Sequence, residues 1–436
     1  MDKKEIAGKI FREALRSVNP SFIVKGYTDK IHSYYSMKGF TKLIITGFGK
    51  AAYQMAQAAE EMFDNDQISG GIVVTKYGHA KSQLSGELKK IKVLEAAHPV
   101  PDENGFKAAQ KIIKLLKEAD SNTLVLCLIS GGGSALFVSP CEGVTLSEKQ
   151  SITDLLLKAG ADITELNSVR KHLSAVKGGR LAEIVYPAKI ISLLISDVIG
   201  DKMDVIASGP TAPDSSTYQD ALEVLKKFNL LDKAPGSVVD VLKKGAAGII
   251  PDTPKQNNPI FHNIQNIIIG SNKKAIDAAY KEAEIFGLDT EIISAELTGE
   301  AKEAGKWLAK KALDERSNNS SRSKCLISGG ETTVIVKGNG KGGRNTELAL
   351  SFAMEIDGIE GITFLSAGTD GTDGPTDAAG AIVDGQTISK AKKLGLNPQE
   401  FLDNNDSYNF FRKTDSLLIT GPTGTNVMDI QIAVIA

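Results

Sequence analysis

Short β-branched runs alternate with stretches of helical periodicity along nearly the whole chain, which is the pattern of βαβ units. The predicted strands are Lys42–Thr46, Gly71–Thr75, Ile91–Glu95, Thr123–Ile129 and Lys189–Ser196, then Asn266–Ile269, Thr290–Ser294, Lys324–Ser328, Thr332–Val336 and Thr363–Ala367. Helices are predicted from Lys50, Asn272 and Thr298, and an amphipathic helix is predicted at Asp2–Val18. The fold class is therefore α/β, with a Rossmann-like parallel sheet in the first half.

The length of the chain favours two α/β domains. At 436 residues it is too long for one compact core. The segment PDTPKQNNP, Pro251 to Pro259, is polar and carries three prolines, which is typical of a linker. We therefore predict domains at 1–250 and 260–436. The sequence leaves open whether the helical residues 1–40 pack on their own domain or on the other one.

Composition and charge exclude several classes of partner. Hydrophobic residues make up 42% and charged residues 24%, as in ordinary globular proteins. A net charge of −2 and a pI near 6.3 argue against nucleic acid and anionic membranes as partners. We expect no signal peptide and no membrane span. Three cysteines without a CxxC pair fit a reducing cytoplasm. The pattern does not decide whether the chain forms a homodimer.

Glycine turns with charged or hydroxyl residues follow several predicted strands. The stretch LIITGFGKAA places Lys50 after two glycines, and CLISGGGSA ends in Gly131, Gly132, Gly133 and Ser134. The run CLISGG recurs 198 positions later, in CLISGGETT, where Glu331 and Thr332 follow the glycines. Ligands of parallel sheets bind beyond the carboxyl ends of the strands, where glycine permits close approach. The turns predict a cleft for phosphate and metal.

The segment NSVRKHLSAVKGGRLA, Asn167 to Ala182, predicts an anion-binding helix face. Arg170, Ser174 and Lys177 follow helical spacing beside a buried stripe, and no acidic residue lies within the segment. An anionic ligand is therefore a better partner for these cations than usual, although a solvated face remains the alternative.

The glycine-rich segment KGNGKGGRNTELAL precedes another predicted helix and carries Arg344 and Asn345. A mobile loop that delivers one arginine suits stabilisation of a transferring phosphoryl group. A plain hairpin tip with a solvated arginine is the alternative. His98, in EAAHPVPDENG, either orients a ligand or forms a structural corner.

Three functions compete on these motifs. Phosphoryl transfer needs Mg²⁺ on oxygen ligands and cations on the phosphates. Asp197 and Asp370, each closing an apolar strand, are the best metal or base candidates. A dinucleotide oxidoreductase would explain TGFGKAA as GxGxxA, but the next strand ends in Lys76 and not in the acid that binds the ribose. A non-catalytic phosphosugar-binding module would not need the repeated aspartates.

The same motifs, together with HPVPDENG, SDVIGD, SGPTAPD, AGTDGTDGPTDAAGA and TGPTGTNVMD, resemble the glycerate kinases that carry a C-terminal MOFRL domain. The resemblance runs from Thr46 to Asp429. It implies an ATP- and Mg²⁺-dependent kinase that converts D-glycerate to 2-phosphoglycerate in carbohydrate metabolism, with its active site in the interdomain cleft. It also implies that Lys50 and Arg344 are active-site residues. Members have often been labelled hydroxypyruvate reductases, so NAD(P)H-dependent hydroxypyruvate reduction remains the alternative.

The candidate site residues fall into three groups. The catalytic candidates are Lys50, Arg344 and Asp197, and the metal candidates are Asp197 and Asp370. The substrate- or nucleotide-binding candidates are Gly131, Gly132, Gly133, Ser134, Asn167, Arg170, Lys177, Gly209, Thr211, Glu331, Thr332 and Asn345.

Overall fold

A computed structural model describes residues 2–64, 66–80, 88–317 and 322–436. The chain divides into two compact units. We call residues 23–196 and 201–269 the parallel-sheet unit, and residues 1–22, 197–200 and 270–436 the mixed-sheet unit. Among the described residues, no helix is long and apolar enough to span a membrane.

The elements alternate as the sequence pattern predicts. The strands are β1 (Lys42–Phe48), β2 (Ile68–Lys76), β3 (Ile91–Ala96), β4 (Thr123–Ile129), β5 (Lys189–Ile195), β6 (Ile264–Gly270), β7 (Asp289–Leu297), β8 (Lys324–Gly330), β9 (Ile362–Gly368), β10 (Gly380–Asp384), β11 (Leu417–Leu418) and β12 (Asp429–Ile435). The helices are α1 (Lys3–Ser17), α2 (Pro20–Lys25), α3 (Thr28–Met37), α4 (Ala52–Glu60), α5 (Glu103–Leu116), α6 (Gly133–Leu136), α7 (Leu146–Lys158), α8 (Ile163–His172), α9 (Arg180–Val185), α10 (Tyr218–Lys227), α11 (Gly236–Ala246), α12 (Asn272–Ile285), α13 (Ala301–Ser317), α14 (Arg344–Glu355), α15 (Thr387–Lys393), α16 (Pro398–Asp403) and α17 (Ser407–Thr414). Short 3₁₀ turns lie at Ile199–Asp201, Ile206–Ser208 and Pro259–Asn263.

The parallel-sheet unit is built on a six-stranded sheet in the order β3-β2-β1-β4-β5-β6. β1 pairs in parallel with both β2 and β4. The chain runs outward from β1 to β3 and then crosses to the other side of β1, so that β1 and β4 form the topological switch point. Both strands are almost wholly buried because their side chains are apolar on both faces. In open α/β sheets such a switch point is where ligands bind.

The mixed-sheet unit has the strand order β11-β10-β9-β12-β8-β7. β12 lies between β8 and β9 and is antiparallel to both. The carboxyl ends of β8 and β9 therefore meet at one edge of the sheet, beside the first residue of β12. At this edge Asp429 stands opposite Gly330 on one side and Gly368 on the other.

The N-terminal helix α1 belongs to the mixed-sheet unit. Its buried residues include Ile10 and Phe11, and it packs against α12, β9 and β12. Polar contacts reinforce this packing: Thr425 Oγ1 donates to Val18 O at 3.0 Å, and Lys4 Nζ lies 2.7 Å from an Asp384 oxygen. The first residues thus lie in the unit that also holds residues 270–436.

The units differ from the predicted domains at the boundary near residue 260, whereas the sequence left the placement of the N-terminal helix open. Residues 2–22 lie with the second half of the chain, and the segment 251–269 lies with the first. Pro251–Pro259 is packed and is not a linker, because its polar residues pair with buried groups. Asp252 Oδ1 lies 2.8 Å from His172 Nε2, and Thr253 Oγ1 donates to Asp214 at 3.0 Å. β6 then adds to the edge of the parallel sheet.

Nine of the ten predicted strands are confirmed, and the predicted strand Thr332–Val336 is wrong. That segment makes a single bridge, between Thr333 and Glu300, and otherwise forms irregular backbone. Ile335 and Val336 are exposed. The β-branched residues of this segment favour a strand. The segment cannot pair with the preceding strand β8, because β8 already lies between β12 and β7.

The packing of α10 on α11 gives a test of the fold. A Cβ on Gly245 of α11 would lie 2.1 Å from the buried ring of Tyr218. We expect Gly245→Ala to overpack this contact and to lower the free energy of unfolding by roughly 1–3 kcal/mol. On the same helix, a Cβ on Gly236 meets no atom within 4 Å. Gly236→Ala is the matched control and should be neutral or stabilising. Equal midpoints of thermal unfolding for the two variants would contradict the packing described.

Candidate active site

The turns after β1 and β4 are bonded to each other at the switch point. Lys50 N donates to Gly131 O at 2.9 Å, and Ala51 N donates to Ser130 Oγ at 3.0 Å. Gly49 has a φ of +134°, and a Cβ there would lie 2.2 Å from Ser130 Oγ. Glycine is therefore required at Gly49 both for its backbone conformation and for the close approach. The result is that Lys50 is fixed beside the glycine run of the second turn.

Gly132 brings two further side chains over the same turn. A Cβ on Gly132, whose φ is +81°, would lie 2.9 Å from His98 Cδ2 and 3.3 Å from Lys50 Cγ. Any side chain at Gly132 would push these two groups away. The structure thus brings the predicted residues Lys50 and Gly131–Gly133 together, and adds His98.

Ser134 connects this turn to Arg170. Arg170 Nη2 donates to Ser134 Oγ at 2.6 Å. Ser208 Oγ donates its hydrogen to Asn167 Oδ1 at 3.1 Å, so the 2.8 Å contact between the two serine hydroxyls needs Ser134 as the donor. The hydroxyl hydrogen of Ser134 is therefore engaged within the protein. In this arrangement Ser134 orients the Arg170 guanidinium and has no hydrogen left to donate to a phosphate.

The backbone that presents Ser208 is left-handed at three successive residues. Ala207, Ser208 and Gly209 have φ values of 51°, 62° and 61°. Such backbone is costly for residues with a Cβ and persists only when its surroundings hold it. Two bonds do so here: Gly178 N donates to Ser208 O at 3.0 Å, and Gly179 N donates to Gly209 O at 2.7 Å. Gly209 thus acts through the backbone, by placing Ser208 against Asn167.

The predicted helical face of Arg170, Ser174 and Lys177 is wrong. α8 ends at His172, and Ser174 instead donates to Ser139 O at 3.2 Å and bridges Pro140. The buried Lys149 causes this end, because its Nζ donates to Arg170 O at 2.9 Å and to Leu173 O at 2.7 Å, the carbonyls of the last turn.

Lys177 and Thr211, both binding candidates, are buried. Lys177 Nζ donates to Ala207 O at 3.3 Å, and burial, with the charges of Arg170 and Lys149, holds the pKa of Lys177 well below its ordinary value. Thr211 Oγ1 accepts from Ser192 Oγ of β5 at 3.2 Å and donates to Asn266 Oδ1 of β6 at 2.8 Å, so it links these two strands. In this structure both side chains make hydrogen bonds inside the parallel-sheet unit.

Arg344 is held rigidly at the edge of the mixed sheet. Its Nε and Nη2 donate to the two carboxylate oxygens of Asp429 at 2.5 and 2.9 Å, and its Nη1 lies 3.0 Å from an oxygen of the exposed Glu331. Burial alone would lower the pKa of Arg344, but the bonds and charge of Asp429 raise it overall. Arg344 therefore stays charged, with the Glu331 side of the guanidinium facing outward.

Asp373 fixes the start of α14, on which Arg344 and Asn345 lie. It accepts from Asn345 N at 2.9 Å, from Thr346 N at 2.8 Å and from Thr346 Oγ1 at 2.7 Å. The buried Asn345 side chain accepts from Ser366 Oγ at 2.7 Å. Asn345 thus joins α14 to β9. The fourth candidate near this edge, Thr332, is also buried.

The glycine-rich loop before Arg344, predicted to be mobile, packs in this structure against the loop after α16. Gly340 N donates to Asn404 O at 2.9 Å, and Lys341 N donates to Asp406 Oδ1 at 2.8 Å. A Cβ on Gly338 would lie 2.3 Å from Asn404 O. The glycines here allow one loop to lie directly on another, so Arg344 is positioned by packing.

The two metal candidates both belong to the mixed-sheet unit. Asp197 is in the segment 197–200 of that unit, and Asp370 follows β9. Asp370 Oδ1 accepts from Thr372 N at 3.0 Å, and a Cβ on Gly368 would lie 3.3 Å from Asp370 Oδ1 and 3.4 Å from Asp429 Oδ1. Among the described residues, no group of three or more histidine, cysteine or acidic side chains could hold a metal ion. Mg²⁺ in kinases uses one or two carboxylates with substrate phosphates, and Asp370 fits that requirement.

Sequence reasoning missed Asp429, Asp373 and Ser208 as parts of these arrangements, and it left His98 open between a ligand contact and a structural corner. Asp373 lies within the motif AGTDGTDGPTDAAGA, and Asp429 ends the motif TGPTGTNVMD. No local spacing signal indicates Asp429, because its role arises from antiparallel pairing with strands about 60 and 100 positions away in sequence.

Comparisons with known proteins agree with this architecture. A model described as "Domain of unknown function (DUF4147)" matches residues 6–243, and the MOFRL family model matches residues 324–429. The D-glycerate 2-kinase of Thermotoga maritima is 46% identical over 434 residues, which cover 99% of this chain and 98% of that protein. A crystal structure of glycerate kinase from the same organism has a TM-score of 0.89 and covers 99% of both chains. An Agrobacterium vitis protein, provisionally named a hydroxypyruvate reductase, is 41% identical and covers 90% of this chain and 99% of its own length.

The two matched models and the two sheets define a two-domain α/β protein that combines a DUF4147 domain with a MOFRL domain. The chain belongs to the family of MOFRL-class glycerate kinases. The resemblance seen in the motifs is thereby confirmed.

The buried Lys149 gives a prediction for pH dependence. Burial, with the charge of Arg170, lowers the pKa of Lys149 to about 7 from 10.5. Between these values the unfolded chain binds a proton that the folded chain lacks, so this residue makes the fold more stable as pH rises. We expect the unfolding midpoint of the wild type to rise relative to that of Lys149→Met between pH 7 and pH 10.

The control for this prediction is Lys158→Met, on the same helix, where the lysine is exposed and pairs with Asp154 at 2.7 Å. Its difference from the wild type should stay nearly constant over the same pH range. A Lys149→Met difference that is equally constant would contradict the burial of a titrating amine.

Proposed function

We propose that this protein transfers the γ-phosphoryl group of ATP to D-glycerate and forms 2-phosphoglycerate, with Mg²⁺ as the metal. The proposal is supported by similarity to D-glycerate 2-kinase over 99% of the chain. The observation that carries it is the turn at the switch point, where the backbone N–H of Lys50 donates to Gly131 of the glycine run. The neighbouring strand β2 ends in Lys76 and so provides no acid to bind a ribose. A cation in this position suits phosphate groups.

The residues of the parallel-sheet unit are assigned to anion binding. Lys50 would contact the phosphates of ATP above the turn Gly131–Gly133. Arg170, oriented by Ser134, would contact a second anion, either a phosphate or the carboxylate of glycerate. Because guanidinium binds carboxylate and phosphate equally well through paired donors, the geometry of Arg170 fits either ligand.

Arg344 is assigned to stabilisation of the phosphoryl group during transfer. In that step a glycerate hydroxyl oxygen forms a bond to the γ-phosphorus, the bond from that phosphorus to the bridging oxygen of ADP breaks, and the hydroxyl proton leaves to a base. The charge spreads over the equatorial oxygens, which a fixed arginine stabilises. The pair with Asp429 keeps Arg344 charged and oriented before substrate arrives.

Asp197 and Asp370 are proposed as the carboxylates that hold Mg²⁺. The alternative role proposed for Asp197 is that of the base that accepts the proton of the glycerate hydroxyl. When bound, Mg²⁺ would neutralise charge on the phosphates and orient them. The proposal for Asp370 is supported by its position at the carboxyl end of β9, near Asp429.

Hydroxypyruvate reduction is a second candidate because a relative carries that provisional name and because GFGKAA matches GxGxxA. Against it, β2 ends with Lys76, where an NAD-dependent fold requires an acid for the ribose hydroxyl. Assays for ADP formation with D-glycerate and for NADPH oxidation with hydroxypyruvate distinguish the two. Glycerate-dependent ADP formation alone is the expected result, and NADPH oxidation alone would overturn the proposal.

Removal of the Lys50 amine tests the phosphate assignment. We expect Lys50→Ala to lower kcat for glycerate phosphorylation roughly 10²–10³-fold, because a preorganised cation no longer meets the developing charge. The matched control is Lys107→Ala, an exposed lysine on α5 of the same unit, which should leave kcat unchanged. A Lys50→Ala enzyme with near-normal kcat would remove this residue from the mechanism.

Replacement of Arg344 by lysine tests the role of the paired geometry. Lysine keeps the charge but cannot bind both oxygens of Asp429 while offering a further donor. Arg344→Lys should therefore lose kcat by a similar factor of roughly 10² with little change in folding. Arg412→Lys, on the exposed side of α17, is the control. Steady-state kinetics would reject the assignment if Arg344→Lys and Arg412→Lys behave alike.

A further inference from the structure

His98 lies at the switch point, in the loop between β3 and α5. Its Nε2 is 3.1 Å from the place that a Cβ on Gly132 would occupy, and Lys50 Cγ is 3.3 Å from the same place. The imidazole and the lysine stem therefore meet over one glycine. The His98 ring is partly exposed, so a ligand beside Lys50 can reach it.

Among the described residues, the titratable groups that act on the charge of the His98 ring are all basic. They are Lys50, from the turn after β1, and Lys76 and His79, from the end of β2. His79 Nδ1 also lies 3.3 Å from Lys50 O, which ties the second loop to the first turn. Burial first, and then these three groups, lower the pKa of His98 to about 4. At neutral pH the ring is therefore uncharged.

The acids of the same loops are occupied by other partners. Glu95 accepts from Gly78 N at 2.8 Å and from Ala80 N at 3.1 Å. Asp102 accepts from Tyr77 OH at 2.6 Å and caps α5 through Gly105 N at 2.9 Å. Among the described residues, the hydrogen bonds of both carboxylates thus go to groups other than Lys50 and Lys76. Within the described part of the chain, Lys50 and Lys76 are therefore available to an anion from outside the chain.

We propose that His98 contacts the phosphates of the bound nucleotide beside Lys50, takes up a proton from solvent when they bind, and donates a ring N–H to a phosphate oxygen. This inference rests on the proposed function, because it takes ATP as the ligand of the switch point. No covalent step is assigned to His98. Its role is to add one charge-assisted hydrogen bond that exists only in the liganded state.

The physical reason is that the bound nucleotide reverses the sign of the charge around the His98 ring. In the free protein, nearby cations disfavour a charged imidazole, whereas a polyphosphate beside Lys50 introduces several negative charges next to the same ring. An opposite charge within about 4–6 Å favours the charged form of a histidine. The pKa of His98 therefore rises when the nucleotide binds, and the proton taken up is released again when the nucleotide leaves.

Proton NMR of the five histidine Cε1–H groups in the full-length protein tests the proposal. The His98 resonance is assigned by its loss in His98→Gln, and His262→Gln, at an exposed histidine, serves as the matched control. The probes are a non-hydrolysable ATP analogue with Mg²⁺, AMP, and D-glycerate. We expect the analogue to raise the pKa of His98 from about 4 by at least about 2.5 units, so that about half or more of the rings are protonated at pH 6.5. AMP and D-glycerate should not raise it.

Calorimetry at pH 6.5 in two buffers of different ionisation enthalpy gives a second, independent readout. The wild type and His262→Gln should take up protons on binding the analogue, and His98→Gln should take up fewer and bind roughly tenfold more weakly. Equal proton uptake and affinity in wild type and His98→Gln would overturn the proposal.

The outcomes separate this inference from the proposed function. A pKa that stays unchanged with the analogue, in a protein that phosphorylates glycerate, would refute the role of His98 and leave the function intact. A pKa that rises with D-glycerate and not with the analogue would refute the phosphate assignment. A rise with the analogue in a protein that forms no phosphoglycerate would support His98 as a nucleotide contact and refute the proposed function.

Discussion

The close approach of two backbone turns is the constraint on which the parallel-sheet unit depends. β1 and β4 are neighbours over their whole length, and the contact continues past their ends because glycine stands where any Cβ would collide. A Cβ on Gly47 would lie 2.6 Å from Leu128 O, and one on Gly49 would lie 2.2 Å from Ser130 Oγ. Lys50, His98 and, through Ser134, Arg170 take their positions from these turns. One steric requirement therefore fixes two cations and one imidazole at the switch point of the sheet.

The mixed-sheet unit reaches a similar result by a different means. Its central strand β12 is antiparallel to both neighbours, so that the first residue of β12, the buried Asp429, lies where those two strands end. Asp429 at that point binds Arg344 through both oxygens, and Asp373 holds the helix from which Arg344 extends. Breaking a buried pair by removing one partner is far more costly than the net stability it contributes. The pair therefore serves mainly to fix the orientation of a charged guanidinium.

Sequence patterns predicted what local chemistry determines and missed what distant pairing determines. Strand ends followed by glycine and a cation identified Lys50 and the turn at Gly131–Gly133, because that motif is contained in a few residues. The prediction of a helix through Ser174 is wrong because Lys149, some twenty positions earlier, binds the carbonyls of the last turn and the helix ends at His172. Polar composition made 251–259 resemble a linker because the buried groups that it pairs with are remote in sequence. The joint action of the two units stays a prediction from the resemblance.

The central claim is that this chain phosphorylates D-glycerate at its 2-hydroxyl. ³¹P NMR of the purified protein with D-glycerate, ATP and Mg²⁺ tests it most directly, because the product and the position attacked are read from one spectrum. We predict the resonance of 2-phosphoglycerate, growing together with that of ADP. A 3-phosphoglycerate resonance would contradict the assigned position. A spectrum without phosphorylated glycerate, from protein shown to be folded, would contradict the claim itself.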